Sequence, residues 1–161
     1  MNYNASEVLH MAEQIERNGA RYYRHAAEFI EDAASKKMLL GLASMEDDHE
    51  QTFEGMRDEL AAANVEDMDP HGEAAAYMQM IADGQVFDVK SDPADLLTGK
   101  ETLEQVLKLA ISHEKDSIVF YEGVKSMVPM SLGKERVDAI IREEMKHIAI
   151  LSRELKVLKS T

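Results

Sequence analysis

Glu46-Asp47-Asp48-His49 and Glu144-Met145-Lys146-His147 are the two stretches whose reading decides the fold. Each places a carboxylate and an imidazole about one helical turn apart on one face, where both can reach the same metal ion. Outward from the second stretch, Val137, Ile140, Leu151 and Leu158 fall in line with Glu144 and His147 at helical spacing, with Glu154 as the one exception. Around the first, Leu39, Leu42, Phe53, Met56 and Leu60 do the same for Glu46 and His49. Steps of three and four are the signature of a buried helix face. Both Glu-His pairs therefore point inward with the core.

Each of these helices has a partner before it in the chain. Val8, Ala12, Ile15, Gly19, Tyr22, Ala26 and Phe29 mark one buried face, and Leu9, Glu16, Tyr23 and Ile30 form a second stripe at steps of seven. Glu16 stands where a leucine is expected. In the other partner the face is Val106, Ala110, His113, Ser117, Phe120, Val124 and Met127, accompanied by Leu107, Glu114, Tyr121 and Val128. Thr98-Gly99-Lys100-Glu101 has the form of a capping box and predicts the start of this helix. Pro129 ends it, because the residue before a proline is driven out of helical geometry, and Ser131 is the predicted cap of the last helix. The expected elements are helices over about 4–32, 35–62, 100–128 and 131–159. Asp69-Pro70-His71-Gly72, Gly84 and Asp92-Pro93 break the pattern over about 63–99, leaving room for a short helix near 73–82 and one further turn opened by Pro93. At about 1.5 Å per residue a long helix here spans roughly 40 Å, and this connection is the one long enough to carry the chain that far.

The two halves superimpose without a gap. Glu16 and Glu114, Tyr23 and Tyr121, Glu46 and Glu144, and His49 and His147 are each 98 positions apart (114 − 16 = 98). Positions at one height of an antiparallel hairpin have a constant sum, which puts the turns near 31–33 and 129–131, where the helical patterns break. The predicted architecture is all-α: a single domain over 1–161, a four-helix bundle of two helical hairpins joined by a long crossover, with all six groups meeting at mid-bundle.

Composition narrows the chemistry. The 161 residues are 45% hydrophobic, enough for a sizeable core. A formal charge of −13 argues against nucleic acid, which needs a basic patch, and suits the attraction of cations. With no cysteine, disulfides, thiolate-bound zinc, iron–sulfur clusters and rubredoxin-type iron sites are excluded. No leader-like pattern stands at Met1–His10 and no run of 18 apolar residues occurs, so a soluble cytoplasmic protein with no membrane partner is expected.

Four inward glutamates cannot remain unpaired charges. Each isolated buried ion costs several kcal/mol, and four exceed the roughly 5–15 kcal/mol by which a domain is stable. Two divalent cations cancel them; without metal, shared protons and raised carboxyl pKa values are expected. A lone inward Glu has an ordinary structural explanation, but six ligand-type residues in register do not. Mixed carboxylate and imidazole ligands suit iron or manganese, with zinc a common occupant. Tyr23 and Tyr121, seven residues after Glu16 and Glu114, are placed to hydrogen-bond the carboxylates. His113 is read as a core histidine, His10, His25 and His71 as surface or structural, and the eleven methionines as adaptable packing. Asp47, Asp48 and Glu143 are assigned to a solvated face.

These residues resemble the ferritin-like superfamily, and most closely its rubrerythrin-related branch, over about 4–62 and 100–159. The resemblance implies a di-iron site with Glu16, Glu46, His49, Glu114, Glu144 and His147 as ligands, Glu46 and Glu144 as bridges, and Tyr23 and Tyr121 bonded to ligands. It also implies a reaction with dioxygen or hydrogen peroxide, of ferroxidase or peroxidase type. Iron binding, storage or detoxification of the ferritin type is the alternative it leaves. Rubrerythrins commonly carry a further Glu one turn after the third-helix ligand, where this chain has Ser117. A symmetric six-ligand site closer to that of bacterioferritin is therefore expected. A small oligomer, most simply a homodimer, and an external electron donor such as a rubredoxin complete the expectation.

Overall fold

The computed structural model describes residues 3–63, 69, 71–84 and 90–161. Among them every regular element is helical: α1 (Ala5–Phe29), α2 (Ala33–Ala62), α3 (Glu73–Ala82), α4 (Leu103–Met127) and α5 (Lys134–Lys159), with 3-10 turns at Pro93–Leu96 and Met130–Leu132. None of these helices is long and apolar enough to cross a membrane.

The helix ends follow local capping chemistry. Asn4 and Glu7 form a reciprocal capping box at the start of α1. α1 stops at Phe29, short of the expected 32, because Asp32 is already in extended geometry as the cap of α2 and accepts from the Ser35 amide at 2.8 Å. That starts α2 at Ala33, two residues earlier than expected. The box at Thr98–Glu101 does form hydrogen bonds, with the Thr98 amide donating to Glu101 at 2.8 Å. It does not start the helix. Gly99 between them takes a left-handed φ of 86°, and the working capping box is Thr102 with Gln105, so α4 begins at Leu103. Ser131 likewise does not cap α5, because it lies inside the 3-10 turn that follows Pro129. Gly133 precedes the helix instead, at φ 88°, where a Cβ would stand 2.2 Å from Arg136 Nε. In the crossover, the short helix at 73–82 and the Asp92-capped turn at Pro93 form as expected. Pro70 lies outside the described residues, while Asp69 accepts from the Ala74 and Ala75 amides at 3.2 and 2.9 Å and ties down the start of α3.

Side-chain pairs give the directions of the helices. Arg17–Glu50, Arg24–Asp47 and Arg57–Glu13 make α1 and α2 antiparallel, and Lys125–Asp138 does so for α4 and α5. Tyr23 bonds Glu114 and Tyr121 bonds Glu16, so α1 and α4 also oppose each other. α2 and α4 therefore run parallel, and the crossover has to travel the length of the bundle. Its 3-10 turn is pinned to α1 by the Arg21–Asp92 ion pair.

The apolar core comes in two parts. Val8, Leu9, Phe53, Met56, Phe120, Val124, Val137 and Ile140 form one cluster, and Tyr22, Ala26, Leu39, Leu42, Val106, Leu107 and Leu151 form the other. Glu16, Glu46, His49, Glu114, Glu144 and His147 lie between them in the sequence of every helix. α3 adds the fully buried Met78 and Ile81 to the first cluster, crossing α4 over Gly123. A Cβ on Gly123 would stand 2.1 Å from Met78 Sδ and 2.8 Å from the Tyr77 ring. Gly123→Ala should therefore overpack this crossing and cost about 1–3 kcal/mol. Urea unfolding measures it, and a midpoint equal to that of the parent would show that α3 repacks without strain.

Candidate metal centre

The six residues are placed by one turn of each of the four long helices. α1 brings Glu16, α2 brings Glu46 and His49, α4 brings Glu114, and α5 brings Glu144 and His147. All six are buried, with at most 4% of their surface exposed. They form two overlapping groups, Glu16–Glu46–His49–Glu144 and Glu46–Glu114–Glu144–His147, within each of which one ligand atom per residue lies within 4.8 Å of the others. Glu46 and Glu144 belong to both groups, as bridging carboxylates would.

Imidazoles face carboxylates across the cluster. His49 Nδ1 is 2.9 Å from Glu144 Oε1 and 3.5 Å from Glu16 Oε2. His147 Nδ1 is 3.1 Å from Glu46 Oε1 and 3.4 Å from Glu114 Oε1. The two rings stack with centroids 5.7 Å apart. The tyrosines cross between hairpins: Tyr121 donates to Glu16 at 2.5 Å and Tyr23 donates to Glu114. Each tyrosine thus holds the glutamate of the other hairpin, a pairing that spacing along one helix could not reveal.

The cluster fits a pair of cations. Glu16 Oε2, Glu46 Oε1, Glu114 Oε2, both Glu144 oxygens, and Nδ1 of His49 and of His147 are buried without a hydrogen-bond partner. Leaving buried polar atoms unpaired is costly, and these converge on one space. Electrostatics agree. Burial and then the surrounding carboxylates push Glu46 and Glu144 well above the usual carboxylate range. Burial also pushes Glu114 upward, but its closeness to Glu144 and to the His147 imidazole outweighs that and brings it down. Burial disfavours a charged His49, yet Glu16 and Glu143 hold its pKa up at about 9. Burial and the neighbouring carboxylates raise both tyrosines.

Other residues behave differently from expectation. Glu143, assigned to a solvated face, is about half exposed, but its Oε2 accepts from His49 Nε2 at 2.7 Å. Periodicity hides it because it sits one residue off the seam; only its contact across to α2 reveals the role. His113 is partly exposed rather than a satisfied core histidine, and it belongs to neither ligand group. It lines a cavity of about 200 Å³ with Ile15, Asn18, Tyr22, Leu109 and the buried Ser117. His113, one wall of this cavity, approaches the cluster at Gly19, where a Cβ would be 3.2 Å from His113 Nε2 and 3.3 Å from Glu46 Oε2. Ser117 donates its hydroxyl to the His113 carbonyl at 3.1 Å and brings no carboxylate to the centre.

Comparisons with known proteins bear on the family and the fold. Residues 7–155 match the family model described as Rubrerythrin. A structure from Thermotoga maritima, solved as that of a candidate ferritin-like diiron-carboxylate protein, has 27% identity and a TM-score of 0.75, covering 100% of this chain and 99% of the other. KatB, a manganese catalase from Anabaena, shares the fold at 20% identity and a TM-score of 0.69, with 99% of this chain and 75% of that one covered. No curated protein matches the sequence.

In the metal-free protein, raised Glu46, Glu144 and His49 pKa values mean that folding takes up protons. The stability they provide is complete at low pH and is lost as pH rises, for the glutamates from their ordinary 4.5 upward and for His49 between 6.5 and about 9. The lowered Glu114 and Glu143 act in the opposite sense, in the acid range below 4.5. The melting temperature of the metal-free protein should therefore fall from about pH 6 to about pH 9. Zinc should remove most of the slope by displacing those protons. Melting curves with and without zinc check it; a metal-free melting temperature that rises over this range would contradict the assignment.

Proposed function

The chain belongs to the rubrerythrin family, and we propose that it is a di-iron oxidoreductase whose buried centre reacts with dioxygen or hydrogen peroxide. The carrying observation is the convergence of unpaired ligand atoms from six buried residues into two groups that share Glu46 and Glu144. Glu16 and His49 would complete one metal position, Glu114 and His147 the other. Carboxylate and imidazole donors without thiolate suit iron, and the Thermotoga maritima relative bears a diiron-carboxylate description. When bound, two ferrous ions supply the two electrons that reduce one peroxide to water.

The chain's own residues prepare the site. Tyr23 and Tyr121 fix one oxygen each of Glu114 and Glu16, so that the second oxygen of each faces the cluster. The cavity at His113 and Ser117 lies on the Gly19 side of the cluster, the side from which a small oxidant would approach. Elsewhere the two apolar clusters exclude water from the ends of the site. With no cysteine for a rubredoxin-type centre in the sequence, re-reduction falls to an external donor such as a rubredoxin. A pair of chains is the simplest assembly.

Protein loaded anaerobically with Fe(II) should hold about two irons per chain and oxidise them on exposure to dioxygen or peroxide. Glu144→Ala, which removes a ligand common to both positions, should cost at least about a hundredfold in oxidation rate, equivalent to about 3 kcal/mol of activation barrier. Iron analysis and stopped-flow absorbance test this together. Uptake of many irons per chain into a large shell would favour storage, and parent-like oxidation by Glu144→Ala would reject the site.

A further inference from the structure

The two halves of the cluster obey the 98-residue offset at every ligand, but not behind the histidines. His49 Nε2, the nitrogen that points away from the cluster, donates to Glu143 Oε2 at 2.7 Å. His147 Nε2 is equally buried and has no hydrogen-bond partner. The offset that maps Glu144 onto Glu46 maps Glu143 onto Met45 (143 − 98 = 45). Met45 packs on the apolar cluster of Leu42 and Leu151, and a thioether is at best a weak acceptor.

A neutral imidazole that gives Nδ1 to a metal carries its proton on Nε2. That proton needs an acceptor, which fixes the tautomer, orients the ring and makes the ligating nitrogen more basic. Glu143 provides all three for His49, and its negative charge also favours cation binding nearby. Nothing among the described residues does so for His147. If the cluster is a metal centre, as the proposed function requires, we infer that its two positions are unequal. Glu143 is a positioning residue that makes the position of Glu16, Glu46, His49 and Glu144 the tighter one. The position completed by Glu114 and His147 fills second and empties first. A divalent cation at low concentration then yields a singly loaded protein, and the redox-competent pair forms as the second cation arrives.

Cobalt(II) tests this without any turnover. Titration of the metal-free protein, followed by the visible cobalt bands and calorimetry, should resolve two steps whose dissociation constants differ about 10–100-fold, the usual effect of an outer partner on a metal-bound histidine. Glu143→Ala should weaken the first step by a similar factor and merge the two; Glu143→Gln, which keeps an acceptor oxygen, should recover most of the loss. Met45→Glu should tighten the second step. In proton NMR of the cobalt form, the shifted imidazole N–H of His49 should be protected from exchange in the parent and in Glu143→Gln, and lost in Glu143→Ala. Two equal steps in the parent, or a first step unchanged in Glu143→Ala, would overturn the inequality and leave the metal centre standing. Absence of cobalt uptake would instead remove the metal centre itself.

Discussion

Four glutamates buried at the middle of one bundle are the constraint on which the rest of the structure depends. In water their mutual repulsion would be weak, but between two apolar clusters there is little to screen it. The fold meets the charge in several ways at once. Tyr23 and Tyr121 each donate to one oxygen, His49 and His147 place imidazoles against the carboxylates, and burial among like charges raises the Glu46 and Glu144 carboxyls toward their neutral form. The unpaired atoms that remain all face one space. Cations entering that space would complete a coordination for which these atoms are already gathered.

Meeting this constraint takes both hairpins. Each supplies one glutamate, one Glu-His pair and one tyrosine, and the tyrosines exchange across the interface, so that neither hairpin supplies the tyrosine that bonds its own glutamate. The crossover matters for the same reason. It sets α4 antiparallel to α1, the only relative direction in which Tyr23 meets Glu114 while Tyr121 meets Glu16.

The internal repeat is kept at the ligands and abandoned around them. Glu143 answers to Met45, His113 to Ile15 and Ser117 to Gly19 under the same offset. The first difference separates the two histidines in their outer partners. The other two place polar groups on the wall of a cavity at His113 and Ser117. A duplicated scaffold thus carries an unsymmetrical environment, in which the side of approach and the order of filling can differ.

The sequence by itself determined the all-helical class, the two hairpins and the six residues that meet at mid-bundle. Helical periodicity, a constant offset and constant hairpin sums are properties of position along the chain, and a polar residue on an apolar seam is visible there. Cap positions were legible only in part: Thr98–Glu101 reads as the capping box, but with Gly99 left-handed between its ends the helix starts from Thr102 and Gln105. Tertiary structure alone decided which tyrosine holds which glutamate, that Glu143 stands behind His49 while His147 has no such partner, and that His113 opens onto a cavity. Those are contacts between helices distant in sequence. They depend on the rotation and height at which hairpins pack, and no periodicity within one helix encodes either.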